Sequence, residues 1–85
     1  MHRSGLTELE VVMAVVRRGS FRAAAQELGM SATAVSNAVA GLESRLQTRL
    51  FNRTTRSVAL TDAGQRYVAR IGPALQEIRQ ASEEI

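Results

Sequence analysis

Residues 20–46, SFRAAAQELGMSATAVSNAVAGLESRL, read as two short helices joined by a tight turn. Ser20 and Ser31 are each placed to cap a helix, because a serine oxygen accepts the free amide protons of a first turn. Gly29 follows Leu28, where helices often end on a left-handed residue that glycine adopts without steric cost. The first of the two helices gathers Ala24, Ala25 and Leu28 on one face. The second aligns Val35, Val39, Leu42 and Leu46 at spacings of four, three and four, an apolar stripe at helical period.

The opposite face of that second helix carries Thr33, Ser36, Asn37, Ala40 and Ser44, with acidic Glu43 only toward the C-terminal half. A face that merely meets water is usually rich in Glu, Lys and Gln. This one is small, hydrogen-bonding and nearly uncharged, so it suits close approach to another surface. In a helix–turn–helix, that surface is the row of base edges in a DNA major groove. The competing reading is an ordinary helical hairpin with a bland exterior, since helix–turn–helix patterns are statistically weak.

Eighty-five residues make one small domain with a modest core, and aromatics are only 4%, so that core must be aliphatic. All eleven basic residues are arginine. Its planar fork suits phosphate and guanine, although a GC-rich genome is the preferred explanation for the missing lysine. Residues 1–61 hold eight arginines against four acids, net +4, whereas residues 62–85 hold three against four, net −1. A basic first part followed by a near-neutral tail fits a polyanion-binding unit joined to a segment with another job; chance produces a similar split. Cysteine is absent, which removes disulfide and thiolate chemistry. No apolar run reaches membrane-spanning length and no signal-peptide pattern opens the chain, so a cytoplasmic protein without membrane association is expected.

In chain order, residues 6–18 form the expected first helix, with Leu9, Val12, Met13 and Val16 on its stripe and Leu6 leading in. Val11 and Val15 lie off that stripe, which implies burial on two sides. After Leu46 the period changes. Residues 49–53 and 57–61 read as two short strands, with Leu50, Phe51, Val58 and Leu60 apolar, around a turn at Thr54, Thr55 and Arg56. Such a hairpin needs helices to pack on. Its tip offers Arg53, Thr54, Thr55, Arg56 and Ser57 to phosphates or a minor groove, or is simply a surface turn with two arginines.

Thr61 caps the last helix and Asp62 meets the positive end of its dipole. Val68, Ile71, Leu75, Ile78, Ser82 and Ile85 recur at spacings of three and four, a heptad seam. Pro73 removes one hydrogen bond, to the Ala69 carbonyl, where a kink is expected. A seam with no partner in the chain points to a second chain, although folding back onto the first helix is the alternative. Enzymatic readings fare badly. The single histidine is His2, no glycine-rich phosphate loop occurs, carboxylates are scattered, and neither a metal nor a cofactor is expected.

Together the motifs GSF-x-x-AA-x-x-L-G, the AVS of the second helix, LE-x-x-L and RLFNRTTRS-x-x-LT-x-AG resemble the N-terminal DNA-binding domain of LysR-type transcriptional regulators. The resemblance covers essentially the whole chain. It implies a mostly α fold with a small β-hairpin: a winged helix–turn–helix over residues 1–61, then a linker helix over 62–85 that pairs two subunits. It implies base reading by Ala32, Thr33, Ser36 and Asn37 and a minor-groove wing arginine at Arg56, with Ser31 and the wing residues Arg53, Thr54, Thr55 and Ser57 expected on the DNA backbone. The homodimer would close through Val68, Ile71, Leu75 and Ile78, on a roughly palindromic site. A small-molecule effector would act only through a C-terminal domain outside these residues. Ala32, Thr33 and Asn37 depart from the Gln, Pro or Ser, and Arg frequent in the family, which alters the bases that would be read. Gln47 stands where the family usually has glycine.

Overall fold

Capping residues fix the helix ends in the structure, a computed structural model that describes residues 5–53 and 58–85. The order is α1 (Gly5–Arg18), α2 (Phe21–Leu28), α3 (Ala32–Leu46), β1 (Phe51–Arg53), β2 (Val58–Leu60) and α4 (Asp62–Glu83). Ser20 Oγ accepts from the Ala23 amide and Ser31 Oγ from the Ala34 amide, both at 3.0 Å. Thr61 Oγ1 accepts from the Gly64 amide at 2.9 Å and donates to the Arg49 carbonyl at 2.7 Å. Gly29 ends α2 at φ 66°, and Gln47 ends α3 at φ 52°. Gln47 is the only non-glycine with positive φ among the described residues. A side chain there costs about 1 kcal/mol relative to glycine.

The core forms where α1, α2 and α3 meet, and the hairpin adds its base to it. Val11, Val12, Val15, Ala24, Val35, Val39, Leu50 and Phe51 are essentially inaccessible. On α1 the deepest residues are Val11, Val12, Ala14 and Val15, while Leu9, Met13 and Val16 are only partly covered. Val12 of the expected stripe is therefore core, and Leu9, Met13 and Val16 flank the buried face. Two-sided burial is observed: α1 lies between the α2–α3 pair and α4. A Cβ on Gly72 of α4 would sit 3.5 Å from the Met13 Cε, and Arg79 of α4 reaches Glu10 at 3.5 Å. On α3, Val35, Ala38, Val39 and Leu42 are buried, but Leu46 is 38% exposed. Leu46 is the last residue of its helix, and the chain turns away at Gln47 before anything covers it.

The hairpin is antiparallel, pairing Phe51 with Leu60, Asn52 with Ala59 and Arg53 with Val58. Among the described residues it is shorter than the two five-residue runs expected, since Arg49, Leu50 and Thr61 lie outside the strands. The Leu50 amide donates to Glu43 instead of to a partner strand, and the Leu50 carbonyl accepts from the Thr61 amide at 2.9 Å. Leu50 thus precedes the ladder, which is how two consecutive apolar residues, Leu50 and Phe51, both turn inward. Gly64 is required at this junction, because a Cβ there would lie 2.2 Å from the Leu50 carbonyl oxygen.

Helix α4 runs unbroken through Pro73. Its inner side is set by α1 and the hairpin. Leu75 is 3% exposed and Val68 packs on the core, so α1 and the hairpin already cover much of the Val68–Leu75 ridge. One ridge further round, Tyr67, Ile71, Ala74, Ile78, Ala81 and Ile85 recur at spacings of four and three. Tyr67 and Ile71 are half-buried and the other four exposed, with Ile78 at 44%. Among the described residues this ridge is an apolar surface left open along α4. No described helix is long and apolar enough to cross a membrane.

Candidate nucleic-acid interface

The Ser31 cap sets the start of α3 and turns its first residues outward. Ala32, Thr33 and Asn37 are exposed, Ser36 is half-buried, and Ala40 and Ser44 continue the same exposed face. No charge interrupts it, because Glu43 is not there. Glu43 lies one helical turn past Val39, on the flank of the buried stripe, and is 7% exposed. The expectation of an acid on the outer face is corrected. The carboxylate is drawn in by the backbone amides of Leu50 and Phe51, at 2.7 and 3.3 Å from Oε2. Its Oε1 lies 3.5 Å from Arg53 and 3.8 Å from Arg49. Sequence reasoning missed this role, and its only signal was an acid at a helical position adjoining the apolar stripe.

Between the outer face of α3 and the hairpin lies an open groove of about 410 Å³, lined by Ala40, Ser44, Gln47, Thr48, Arg49 and Arg53, with Glu43 at its floor. Arg49 is the most open of these arginines, with 67% of its side chain exposed. It was not among the residues expected to meet DNA. Arg53 was, and its guanidinium is engaged by its own chain: its carbon lies 4.9 Å above the Phe21 ring, and Glu43 pairs with it. Phe21 in turn meets Phe51 edge-on, centroids 6.0 Å apart. Ser31 keeps its hydroxyl proton for another acceptor while its oxygen caps the helix. Thr54, Thr55, Arg56 and Ser57 lie outside the described residues.

Other charges tie the scaffold together. Arg45 of α3 donates to Glu8 of α1, a bond that holds the guanidinium above its ordinary pKa. Arg17 and Arg18 at the end of α1 both face Glu27 of α2. Water screens exposed pairs of this kind, so they orient more than they stabilise. Arg22, Arg66 and Arg70 make no ion pair with a described residue. Among the described residues no group of three His, Cys, Asp or Glu side chains is placed to hold a metal ion.

The architecture matches known proteins closely. It superposes on the BenM DNA-binding domain in its crystallised complex with benA site 1 DNA, with a TM-score of 0.88 at 28% identity, covering 93% of this chain and 89% of that one. Full-length OxyR C199D from Pseudomonas aeruginosa gives a TM-score of 0.87 at 29% identity, covering 98% of this chain and 28% of that one. In sequence, the uncharacterized HTH-type transcriptional regulator YcaN of Escherichia coli K12 is 47% identical over 83 residues, 98% of this chain and 28% of that protein. HTH-type transcriptional regulator CrgA of Neisseria meningitidis serogroup B is 45% identical over 78 residues, 92% of this chain and 26% of that protein. The chain spans about a quarter of the length of these curated relatives. Residues 6–65 match the family described as bacterial regulatory helix-turn-helix protein, lysR family. Capped helices, a hairpin braced on α3 and that match agree, and the chain belongs to the LysR family.

Proposed function

We propose that this chain is the sequence-specific, double-stranded-DNA-binding part of a bacterial transcriptional regulator, and not an enzyme. The observation that carries the reading is the outer face of α3: small, hydrogen-bonding, free of charge and bordered by an arginine-lined groove. A face of that kind enters a major groove, where Thr33, Ser36 and Asn37 exchange hydrogen bonds with base edges and Ala32 offers a methyl-sized contact to thymine. Ser31 meets the DNA backbone from the start of α3, and Arg53, Thr54, Thr55, Arg56 and Ser57 act on the backbone or minor groove as a wing. The BenM DNA-binding domain, which shares this fold, was crystallised on DNA, and that complex supports the same partner here.

Residues 1–61 are the DNA-binding unit and 62–85 the linker helix in this reading. In this proposal two copies pair through α4, with Ile71 and Ile78 in the contact and Tyr67, Ala74 and Ala81 completing the ridge. Val68 and Leu75 support the seam from beneath. The protein acts in the cytoplasm, and any small-molecule effector binds a domain outside these residues. A salt titration tests the core of this proposal. Affinity for duplex DNA should fall with salt at a log–log slope of about −0.9 per phosphate contacted. A chain that binds no duplex at low salt contradicts it.

A further inference from the structure

Glu43 is the only acid in α3, and its two oxygens face two different parts of the chain. Oε2 receives the Leu50 and Phe51 amides, where the backbone passes from α3 into β1, and Oε1 faces Arg49 and Arg53. Among the described residues the hairpin shows three residue pairs. A two-stranded ribbon of that size holds no orientation unaided. From α2 it has the Phe21 ring against Phe51 and Arg53. From α3 it has Glu43. We propose that Glu43 is a positioning residue: its carboxylate sets the angle between the hairpin and α3, so that both meet one DNA duplex in a single register. This rests on the DNA-binding reading above.

In this mechanism reach matters more than charge. A glutamine at position 43 keeps an oxygen at the same distance from the Leu50 and Phe51 amides. An aspartate keeps the charge but stops one methylene short of two donors that are fixed by the start of β1. The test compares Glu43→Gln and Glu43→Asp in the 85-residue chain, using a duplex selected from a random pool by the wild type. In the free proteins, amide exchange of Leu50 and Phe51 should stay near wild type in Glu43→Gln and accelerate at least tenfold in Glu43→Asp. On DNA, the affinity ratio of selected to random duplex should fall at least tenfold for Glu43→Asp and less than threefold for Glu43→Gln. Hydroxyl-radical footprints should show the hairpin-side protections of Glu43→Asp shifted while those from α3 persist. The reverse order, with Glu43→Asp behaving as wild type and Glu43→Gln failing, overturns the proposal in favour of a charge effect on Arg49 and Arg53. Two folded variants with the wild-type ratio and footprint overturn it in favour of a purely structural role. A wild type that selects no duplex removes the DNA reading and the register role with it, a result seen before either variant is made.

Discussion

Asn37 carries the sharpest consequence at the level of single residues. It is exposed near the N-terminal end of α3, and its amide can make a paired contact with adenine. Asn37→Ala should cost about 1–3 kcal/mol at the preferred base and relax discrimination there, measured by binding to duplexes varied at single positions. A uniform loss on selected and random DNA alike would assign Asn37 to the backbone instead. Gly64 is the matching case for stability. A methyl group would lie 2.2 Å from the Leu50 carbonyl oxygen, a backbone atom that cannot swing aside. Gly64→Ala should therefore destabilise the fold by about 2 kcal/mol or more in urea unfolding, and a loss under about 0.5 kcal/mol would contradict the packing described. Caps at Ser20, Ser31 and Thr61 and the left-handed end at Gly29 were legible in the sequence, because each depends on neighbours within four residues, whereas the left-handed Gln47 was signalled only by the glycine the family usually has there. Glu43 was not, since its inward turn is decided by amides seven and eight positions away.

Among the elements, α4 separates what periodicity can and cannot tell. A run of apolar residues at spacings of three and four identified an amphipathic helix correctly. It did not distinguish the ridge that packs on α1 from the ridge next to it, because Ile71 and Ile78 fit both seams. Contact with α1 decides: Gly72 lets Met13 approach, Leu75 is covered, and the open ridge runs through Ala74 and Ala81. The two ridges can be told apart by substitution. Ile78→Arg places a charge on the open ridge, so the monomer should keep its melting temperature within a few degrees while sedimentation shows the dimer dispersed. Leu75→Arg buries an unpaired charge within one chain and should lower stability by several kcal/mol whatever the concentration. A stable Leu75→Arg monomer beside an unaffected Ile78→Arg dimer would restore the seam first expected. The hairpin strands were also recognised but drawn too long, because Leu50 and Thr61 bond to each other and to the helices around them.

For the molecule as a whole, α1 holds the structure together by contacting α2 and α3 on one side and α4 on the other. The outer face of α3 and the open ridge of α4 therefore belong to one packed unit, and a symmetric pair would hold two such faces at a fixed separation. Such geometry demands a site with two-fold character, its half-sites about one turn of DNA apart or a multiple of it. Coupling of the two halves multiplies the affinity of each, so a chain unable to pair should bind a full site little better than a half-site. Selection of preferred duplexes from a random pool by this 85-residue chain probes all of this at once. The expected result is enrichment of an inverted repeat with half-sites in that spacing, bound with strong salt dependence and lost on Asn37→Ala. Recovery of a pool as random as the starting one, with no duplex bound above background at low salt, would contradict the assignment of α3 as a DNA-reading helix.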